Sequence, residues 1–176
     1  MIVKKCDKYH SVKVFHDNAE LYDSWFEDSL IYEIELAALK GLNSQLHRPK
    51  LEIGVGPGRF AGDLDIDFGT DPAWAPLILA SGRKIKCCQA FGEQLPVQDS
   101  TIGAIYILFT LCFTADPQKV LAECSRVLKE SGLLVIGMIP SGSVWGRSLA
   151  SKKETDHPFY RHASFYTIEK LTKWLG

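Results

Sequence analysis

Three glycines and two carboxylates stand where a strand of an α/β sheet would meet a ligand. Gly54, Gly56 and Gly58 follow the apolar start of the stretch LEIGVGPGRF, and Glu52 lies just before them. A glycine-rich turn at the carboxyl end of a buried strand lets backbone N–H groups approach a ligand closely. Asp71 ends a second extended run about twenty residues later, where an acid can accept hydrogen bonds from both hydroxyls of a ribose. Together these residues predict a site for a cofactor that carries a nucleoside.

The spacing of the glycines selects among nucleoside cofactors. A dinucleotide site uses Gly-x-Gly-x-x-Gly, in which the last glycine opens a helix aimed at the pyrophosphate. In this chain the third glycine comes one residue earlier and follows Pro57, and Glu52 would place an anion beside any phosphate group. S-adenosylmethionine fits better, because it has no phosphate and carries an ammonium and a sulfonium. A strand-to-helix turn that binds nothing and a nucleotide-dependent oxidoreductase remain as alternatives.

Four motifs follow one another along the chain. They are Glu52-x-Gly54-x-Gly56-x-Gly58, Gly69-Thr70-Asp71-Pro72, Gly92-Glu93-Gln94-Leu95-Pro96 and Glu123-x-x-Arg126-Val127-Leu128-Lys129-x-x-Gly132. In this order they resemble the class I S-adenosylmethionine-dependent methyltransferases, and most of all the small-molecule branch related to the ubiquinone and menaquinone C-methylation enzymes. The resemblance implies S-adenosylmethionine as cofactor and a small-molecule acceptor, whose identity the motifs do not specify.

The resemblance also implies which residues contact the cofactor. In the family, a segment before the sheet covers the cofactor, and the turn after the third strand brackets the adenine. Phe91 stands where relatives often carry an Asp, which indicates an apolar wall for the base and recognition by the nearby backbone. The expected cofactor contacts are Tyr22, Glu52, Gly54, Val55, Gly56, Gly58, Asp71, Pro72, Gly92, Glu93 and Leu108.

No catalytic residue and no metal site are assigned from the sequence. Methyl transfer depends on alignment and exclusion of water, and it needs a base only when the acceptor must lose a proton. Four residues could supply that base or could equally pack or lie on the surface: His16, His157, Tyr160 and His162. Cys112 is expected to pack, because no neighbouring cation would lower its pKa. The five cysteines show no zinc-ligand spacing.

These residues need an α/β sheet to bring them together. Apolar runs predict strands at 50–53, 64–68, 85–90, 102–108 and 133–139. Helices are predicted at 59–63 and 75–81, from Asp116 to Gly132, and after Thr167. We expect a Rossmann-like, mostly parallel sheet with helices on both faces in a single domain, 1–176. An N-terminal helical lid would occupy 1–46, the cofactor-binding core 47–140, and an acceptor-side loop and helix 141–176.

Composition narrows the classes of function. The net charge of −1 argues against a large nucleic-acid surface. The longest apolar run, 102–113, is too short to span a bilayer. The first ten residues are charged throughout and carry no secretory signal, and five cysteines without a disulfide framework suit a reducing cytoplasm.

The chain stops at Gly176, before two further strands that class I methyltransferases normally carry. The fifth strand is therefore expected to be an open apolar edge, which proteins usually cover. Three explanations stay open: a truncated chain, a partner chain such as a homodimer over the edge, or a naturally minimal variant. The alternative to an enzyme is accordingly a truncated or inactive S-adenosylmethionine-binding protein that acts through a partner chain.

Overall fold

The computed structural model describes residues 8–154 and 157–176; residues 1–7, with Cys6 and the first part of the predicted lid, lie outside the described residues. Three helices precede the first strand: α1 (Lys8–Asp17), α2 (Ala19–Ser24) and α3 (Leu30–Asn43). The remaining elements are β1 (Lys50–Ile53), α4 (Arg59–Asp63), β2 (Phe68–Asp71), α5 (Trp74–Gly82), β3 (Lys86–Gln89), β4 (Ile102–Leu108), α6 (Pro117–Val127), β5 (Leu128–Gly137), α7 (Val144–Glu154) and α8 (Ile168–Leu175). Short 3-10 helices span Leu111–Phe113 and Tyr160–His162.

Within the described residues the strands form one parallel sheet in the order β3-β2-β1-β4-β5. Side chains of β4 alternate between the two faces of the sheet. Tyr106 packs with α3, α4 and α5 on one face, whereas Ile105 and Ile107 pack with α6 and α8 on the other. Helices therefore cover both faces, and the predicted Rossmann-like fold is confirmed.

The second strand begins and ends later than predicted. The strand predicted at 64–68 is β2 at Phe68–Asp71, because residues 64–67 form a turn. In this turn Asp65 has a φ of 53°, and the carboxylate of Asp67 accepts a hydrogen bond from the backbone N–H of Lys50. Acidic and apolar residues alternate in this turn as they would in a strand, which explains the wrong prediction.

Gly132 does not end a helix, contrary to the prediction. Helix α6 ends at Val127, and Leu128 already pairs with Ile102 of β4. The pairing resumes between Leu133 and Ala104, so the residues between them form a bulge inside β5. Gly132 occupies a tight position in that bulge, where an added Cβ would lie 2.8 Å from the side chain of Leu128.

Two helices were not located individually from the sequence, although α1 falls within the predicted helical lid 1–46. Helix α1 lies mostly in the segment before residue 15, where the apolar spacing gives no helical pattern. Helix α7 begins inside the stretch 141–147, which the sequence analysis treats as loop. Its start is stabilised by Ser143, whose hydroxyl accepts a hydrogen bond of 2.9 Å from the N–H of Gly146.

The outer strand β5 pairs on one side only, with β4, among the described residues. Leu133 of this strand is 50% exposed. The homodimer that would cover this edge stays a prediction. None of the described helices is both long and apolar enough to cross a membrane.

A packing test follows from Gly103, which lies against the segment that leads into β1. An added Cβ would lie 2.4 Å from the carbonyl oxygen of His47 and 2.8 Å from that of Arg48, and backbone cannot move aside easily. We expect Gly103→Ala to lower the free energy of unfolding by about 1–3 kcal/mol in urea titrations. The control is Gly41→Ala inside α3, where no atom lies within 4 Å, and which should raise that free energy by about 0.5–1 kcal/mol. Equal effects of the two variants would contradict the tight packing at Gly103.

Candidate functional site

A cavity opens at the carboxyl ends of β1, β2 and β4, where α/β sheets bind ligands. We call it the glycine-turn cavity; its volume is about 750 Å³ when the part open to solvent is counted. Helix α1 and the turns that follow the strands form its walls. Seven of the residues predicted from the sequence line it: Tyr22, Gly54, Gly56, Asp71, Pro72, Gly92 and Glu93.

The other predicted residues lie outside this cavity. Glu52, Val55 and Leu108 line a smaller recess that adjoins it behind the glycine turn. Gly58 lines neither space. It has a φ of 80°, and an added Cβ would lie 2.6 Å from the side chain of Ile85, so this glycine lets α4 begin close to its neighbours.

The N–H groups of the glycine turn are used within the chain. Those of Gly54 and Val55 donate to the carbonyl oxygen of Thr70, at 2.7 and 3.0 Å. The N–H of Gly56 donates to the carboxylate of Asp71 at 3.0 Å. An added Cβ at Gly56 would have only the Tyr22 ring within 4 Å, at 3.8 Å. The turn therefore offers a ligand open space rather than unpaired donors.

Two carboxylates sit beside the turn without a cation. Glu52 is 2% exposed, and its Oε2 atom has no hydrogen-bond partner. Burial and the neighbouring charge of Asp71 raise the pKa of Glu52 well above its usual value. Desolvation raises the pKa of Asp71 to about 6, although the N–H groups of Ala73 and Gly56 oppose the shift. Within the described residues no ion pair reaches either carboxylate, so the cavity favours a ligand with positive charge.

An ionic cluster fastens α2 to the glycine turn. Both carboxylate oxygens of Asp23 accept hydrogen bonds from Arg59, at 2.7 and 2.8 Å, and Arg83 donates to the same carboxylate at 2.9 Å. Arg83 also donates to the carbonyl oxygen of Pro57 at 2.7 Å. Burial alone would raise the pKa of Asp23, but the hydrogen bonds from both arginines hold it below the usual value. The cluster thereby fixes Tyr22, the residue before Asp23, over the turn.

The third and fourth sequence motifs support the cavity from behind. Glu123 accepts a hydrogen bond of 2.7 Å from the N–H of Leu95 and pairs with Arg126, which donates to the carbonyl oxygens of Leu95 and Val97. The side chain of Glu93 accepts from the N–H of Ala115 at 3.0 Å. These side chains hold the loop after β3 in place, and Phe91, Gly92 and Glu93 of this loop line the cavity.

A second cavity, which we call the aromatic cavity, lies beside the first and holds about 650 Å³, again counting the part open to solvent. The two cavities share Phe15, Tyr22, Phe109 and Phe113. Aromatic rings from α1, α2 and the segment after α7 build most of its walls. Its further lining residues are Trp25, Leu111, Cys112, Ile136, Gly137, Met138, Ile139, Phe159, Tyr160, Phe165, Tyr166 and Leu171.

Comparison with known proteins assigns the family. A family profile described as "Methyltransferase domain" matches residues 51–136, which contain the glycine turn and both carboxylates. The crystal structure of an S-adenosylmethionine-dependent methyltransferase from Thermotoga maritima matches with a TM-score of 0.84 and 33% identity, over 93% of this chain and 78% of that chain. The chain belongs to the class I S-adenosylmethionine-dependent methyltransferases. The predicted cofactor is thereby confirmed, and the link to the ubiquinone and menaquinone branch stays a prediction.

The sequence relatives of this methyltransferase differ in length. A protein of Mycobacterium tuberculosis is 39% identical over 162 residues, which is 90% of this chain and 57% of that protein. A protein of Methanocaldococcus jannaschii is 38% identical over 168 residues, which is 93% of this chain and 79% of that protein. The chain thus spans little more than half the length of the mycobacterial relative.

The residues considered as a base in this methyltransferase occupy different places. Tyr160 lines the aromatic cavity, and burial raises the pKa of its hydroxyl. His157 lies against the Trp25 and Tyr160 rings, and burial lowers its pKa. The Nδ1 atom of His16 accepts from the N–H of Ala75 at 3.3 Å, whereas His162 lies against the ring of His10. No catalytic residue follows from this arrangement.

Cys112 of the methyltransferase behaves as a packing residue. Its thiol donates to the carbonyl oxygen of Phe109 at 3.3 Å. Burial raises its pKa to about 12, so the reactive thiolate is scarce at neutral pH.

Several residues of the methyltransferase cavities were not anticipated from the sequence. Ser11, Val12 and Phe15 of α1 line the glycine-turn cavity, and the unremarkable pattern of α1 gave no reason to select them. Thr110 also lines it, and an added Cβ at Gly54 would lie 2.2 Å from the Thr110 side chain. The position of Thr110, directly after the carboxyl end of β4, was a usable indication.

Removal of the ionic cluster tests its role in fixing α2. We expect Asp23→Ala to lower the free energy of unfolding by about 1–3 kcal/mol, because two half-buried arginines lose their partner. Amide hydrogens of α2 should exchange faster with deuterium, while those of β1 and β4 keep their protection. Asp17→Ala, which breaks the exposed pair with Lys13, should change the stability by less than about 0.5 kcal/mol. Unchanged exchange in α2 of the Asp23 variant would show that other contacts hold this helix.

Proposed function

We propose that the protein transfers the methyl group of S-adenosylmethionine, held in the glycine-turn cavity, to a small-molecule acceptor in the aromatic cavity. The observation that carries the proposal is a pair of carboxylates without a cation at the glycine turn. Asp71 lines the glycine-turn cavity and Glu52 lines the recess that adjoins it, while Tyr22 lines both the glycine-turn cavity and the aromatic cavity. A volume of about 650 Å³ suits a small molecule, since ligand pockets span about 300–1,000 Å³.

The residues of the glycine-turn cavity and of the recess that adjoins it suit this cofactor. The unpartnered oxygen of Glu52 can accept a hydrogen bond from an ammonium group that approaches across the turn. Each oxygen of Asp71 accepts one backbone N–H and keeps acceptor capacity for a ribose hydroxyl. Gly56 leaves the space above the turn free of side chain. Phe91, Gly92 and Glu93 offer a wall for the base.

In the proposed reaction the chain aligns the reactants and excludes water. When bound, S-adenosylmethionine supplies a methyl group that its positively charged sulfur makes electrophilic. The lid residue Tyr22 closes the boundary between the cavities, and Phe15, Phe109 and Phe113 keep that boundary apolar. Tyr22 and Tyr160 have raised pKa values and stay neutral, so their hydroxyls orient an acceptor rather than take its proton.

The geometry disfavours a nucleotide-dependent oxidoreductase. A pyrophosphate is bound by unpaired backbone N–H groups, but those of Gly54, Val55 and Gly56 donate within the chain. Glu52 and Asp71 would also repel it. No observation favours an inactive binding protein over an enzyme. We also propose the cytoplasm as the location, because the described cysteines are free thiols.

Calorimetric titration with S-adenosylmethionine tests the assigned cavity. We expect Asp71→Ala to weaken binding at least about tenfold, since charge-assisted hydrogen bonds to the ribose are lost. The control is Asp99→Ala, which removes an exposed carboxylate paired with Arg126 outside the cavity and should leave the affinity unchanged. Equal affinities of the two variants for S-adenosylmethionine would show that the cofactor binds outside this cavity. Transfer of a radiolabelled methyl group to candidate acceptors then tests the enzymatic activity.

Glu52→Gln should separate stability from cofactor binding. Because the folded-state pKa of Glu52 is raised, stability present below its unfolded pKa is lost as the pH rises through the folded pKa. The variant carries no buried charge, so at pH 8 it should be more stable than the wild type by about 1–3 kcal/mol, and this gain should shrink towards pH 5. Its affinity for S-adenosylmethionine should fall about tenfold or more.

Urea titrations at both pH values and calorimetry at pH 8 provide the measurements for Glu52→Gln. Glu130→Gln, which changes an exposed carboxylate on β5, serves as the matched control and should alter neither quantity. A loss of stability at pH 8 in the Glu52 variant would show that its carboxylate is satisfied in the free protein.

A further inference from the structure

The walls of the aromatic cavity carry no charge. None of the residues that line it is an Asp, Glu, Lys, Arg or His. An ionic group placed there would lose its hydration and find no charged partner among the lining residues. The glycine-turn cavity next to it has the opposite character, because Asp71 lines it and Glu52 lines the recess behind its turn.

Three of the aromatic rings that line the cavity are stacked in series. The ring of Tyr160 lies at 26° to that of Phe113 and at 29° to that of Trp25, with centroids 6.3 and 6.4 Å apart. Aromatic surfaces in such offset, nearly parallel arrangements favour a flat apolar partner that packs against them. The aromatic lining therefore favours a ligand with a ring over a strongly polar one.

Two hydroxyls supply a polar feature inside these walls. Tyr22 and Tyr160 both line the cavity, and they lie close enough for each other's charge to raise the pKa of Tyr22. Within residues 8–154 and 157–176, neither hydroxyl donates or accepts a hydrogen bond. Hydroxyls without a protein partner in an apolar space favour a ligand that offers them one.

The electrostatic field at Tyr22 opposes a negative ligand. Asp71 and Glu52 contribute to the rise in the pKa of Tyr22, so negative charge is disfavoured at this boundary. A positive ligand would enter a cavity without any carboxylate on its walls, beside a cofactor that is itself positively charged. The lining thus offers an ionic partner to neither sign of charge.

We propose that the acceptor is an electrically neutral molecule with a flat apolar ring system and one uncharged polar group that bonds to the hydroxyls of Tyr22 and Tyr160. This inference rests on the proposed function, because it takes the aromatic cavity as the acceptor site. The polar group lies at the border with the glycine-turn cavity, where Tyr22 belongs to both.

Three probes that share one ring system test the charge selection. They are 2-naphthol, 2-naphthoate and 2-naphthylmethylammonium, which are neutral, negative and positive at pH 7. Each is titrated by calorimetry into protein saturated with S-adenosylhomocysteine. We expect 2-naphthol to bind at least about tenfold more tightly than either ion. Equal or tighter binding of an ion would overturn the proposal.

Deletion of one hydroxyl tests the position of the polar group. Tyr160→Phe should weaken binding of 2-naphthol about three- to tenfold and leave binding of naphthalene unchanged. The matched control is Tyr32→Phe, whose hydroxyl bonds to Asp63 outside the aromatic cavity and should not affect either probe. Equal losses for 2-naphthol and naphthalene in Tyr160→Phe would mean that the hydroxyl does not contact the ligand.

The saturation step separates this inference from the proposed function. Titration with S-adenosylhomocysteine involves the glycine-turn cavity alone, so its failure would overturn the proposed function. If that titration succeeds and the three naphthyl probes bind equally, the cofactor assignment stands and the neutral acceptor is wrong.

Discussion

Two carboxylates without a cation, Glu52 buried and Asp71 half-buried, are the constraint on which the rest of the site depends. The alternation of β1 sends Leu51 and Ile53 to the α6 face, so Glu52 must point to the opposite face, beneath the glycine turn. Parallel pairing of β1 with β2 brings the end of β2 beside that turn, where the carboxylate of Asp71 accepts the Gly56 N–H. The sheet register thus concentrates negative charge at one point, and the folded chain bears its electrostatic cost until a positive ligand arrives.

The same turn couples the sheet to the helices that precede it. Arg59 follows the turn directly and binds Asp23, while Arg83 contacts both Asp23 and the Pro57 carbonyl. Tyr22 therefore takes its position from the turn rather than from α2 alone. The Tyr22 ring contacts those of Phe15 and Phe159 at centroid distances of 5.1 and 5.6 Å. Through these contacts the glycine turn also helps to position the wall of the aromatic cavity. Movement of α2 away from the turn would separate Asp23 from Arg59 and Arg83.

The sequence predicted best those elements whose structure depends on their own residues alone. The apolar run of β4 and the Asp116 cap of α6 were predictable, because burial and capping act on the residues themselves. The true start of β2 was not predictable, because the turn before it is stabilised by a hydrogen bond from the backbone N–H of Lys50 to Asp67. These two residues are distant in sequence, so no local pattern indicates the turn. Six of the seven predicted residues that line the glycine-turn cavity came from motifs at strand ends. The aromatic cavity was only partly anticipated, since its rings come from segments far apart in sequence that tertiary packing brings together.

The two cavities differ in charge, and Tyr22 lines both of them. Negative charge gathered by Glu52 and Asp71 matches a cofactor whose reactive centre is positive, and an acceptor that carried its own charge would disturb that match. An apolar neighbouring cavity lowers the effective dielectric around the reacting groups and keeps water from competing with the acceptor. The neutral phenol of Tyr22 suits this border, because it can donate a hydrogen bond without adding charge to either side. The charged cavity thus has a physical reason to adjoin an uncharged one.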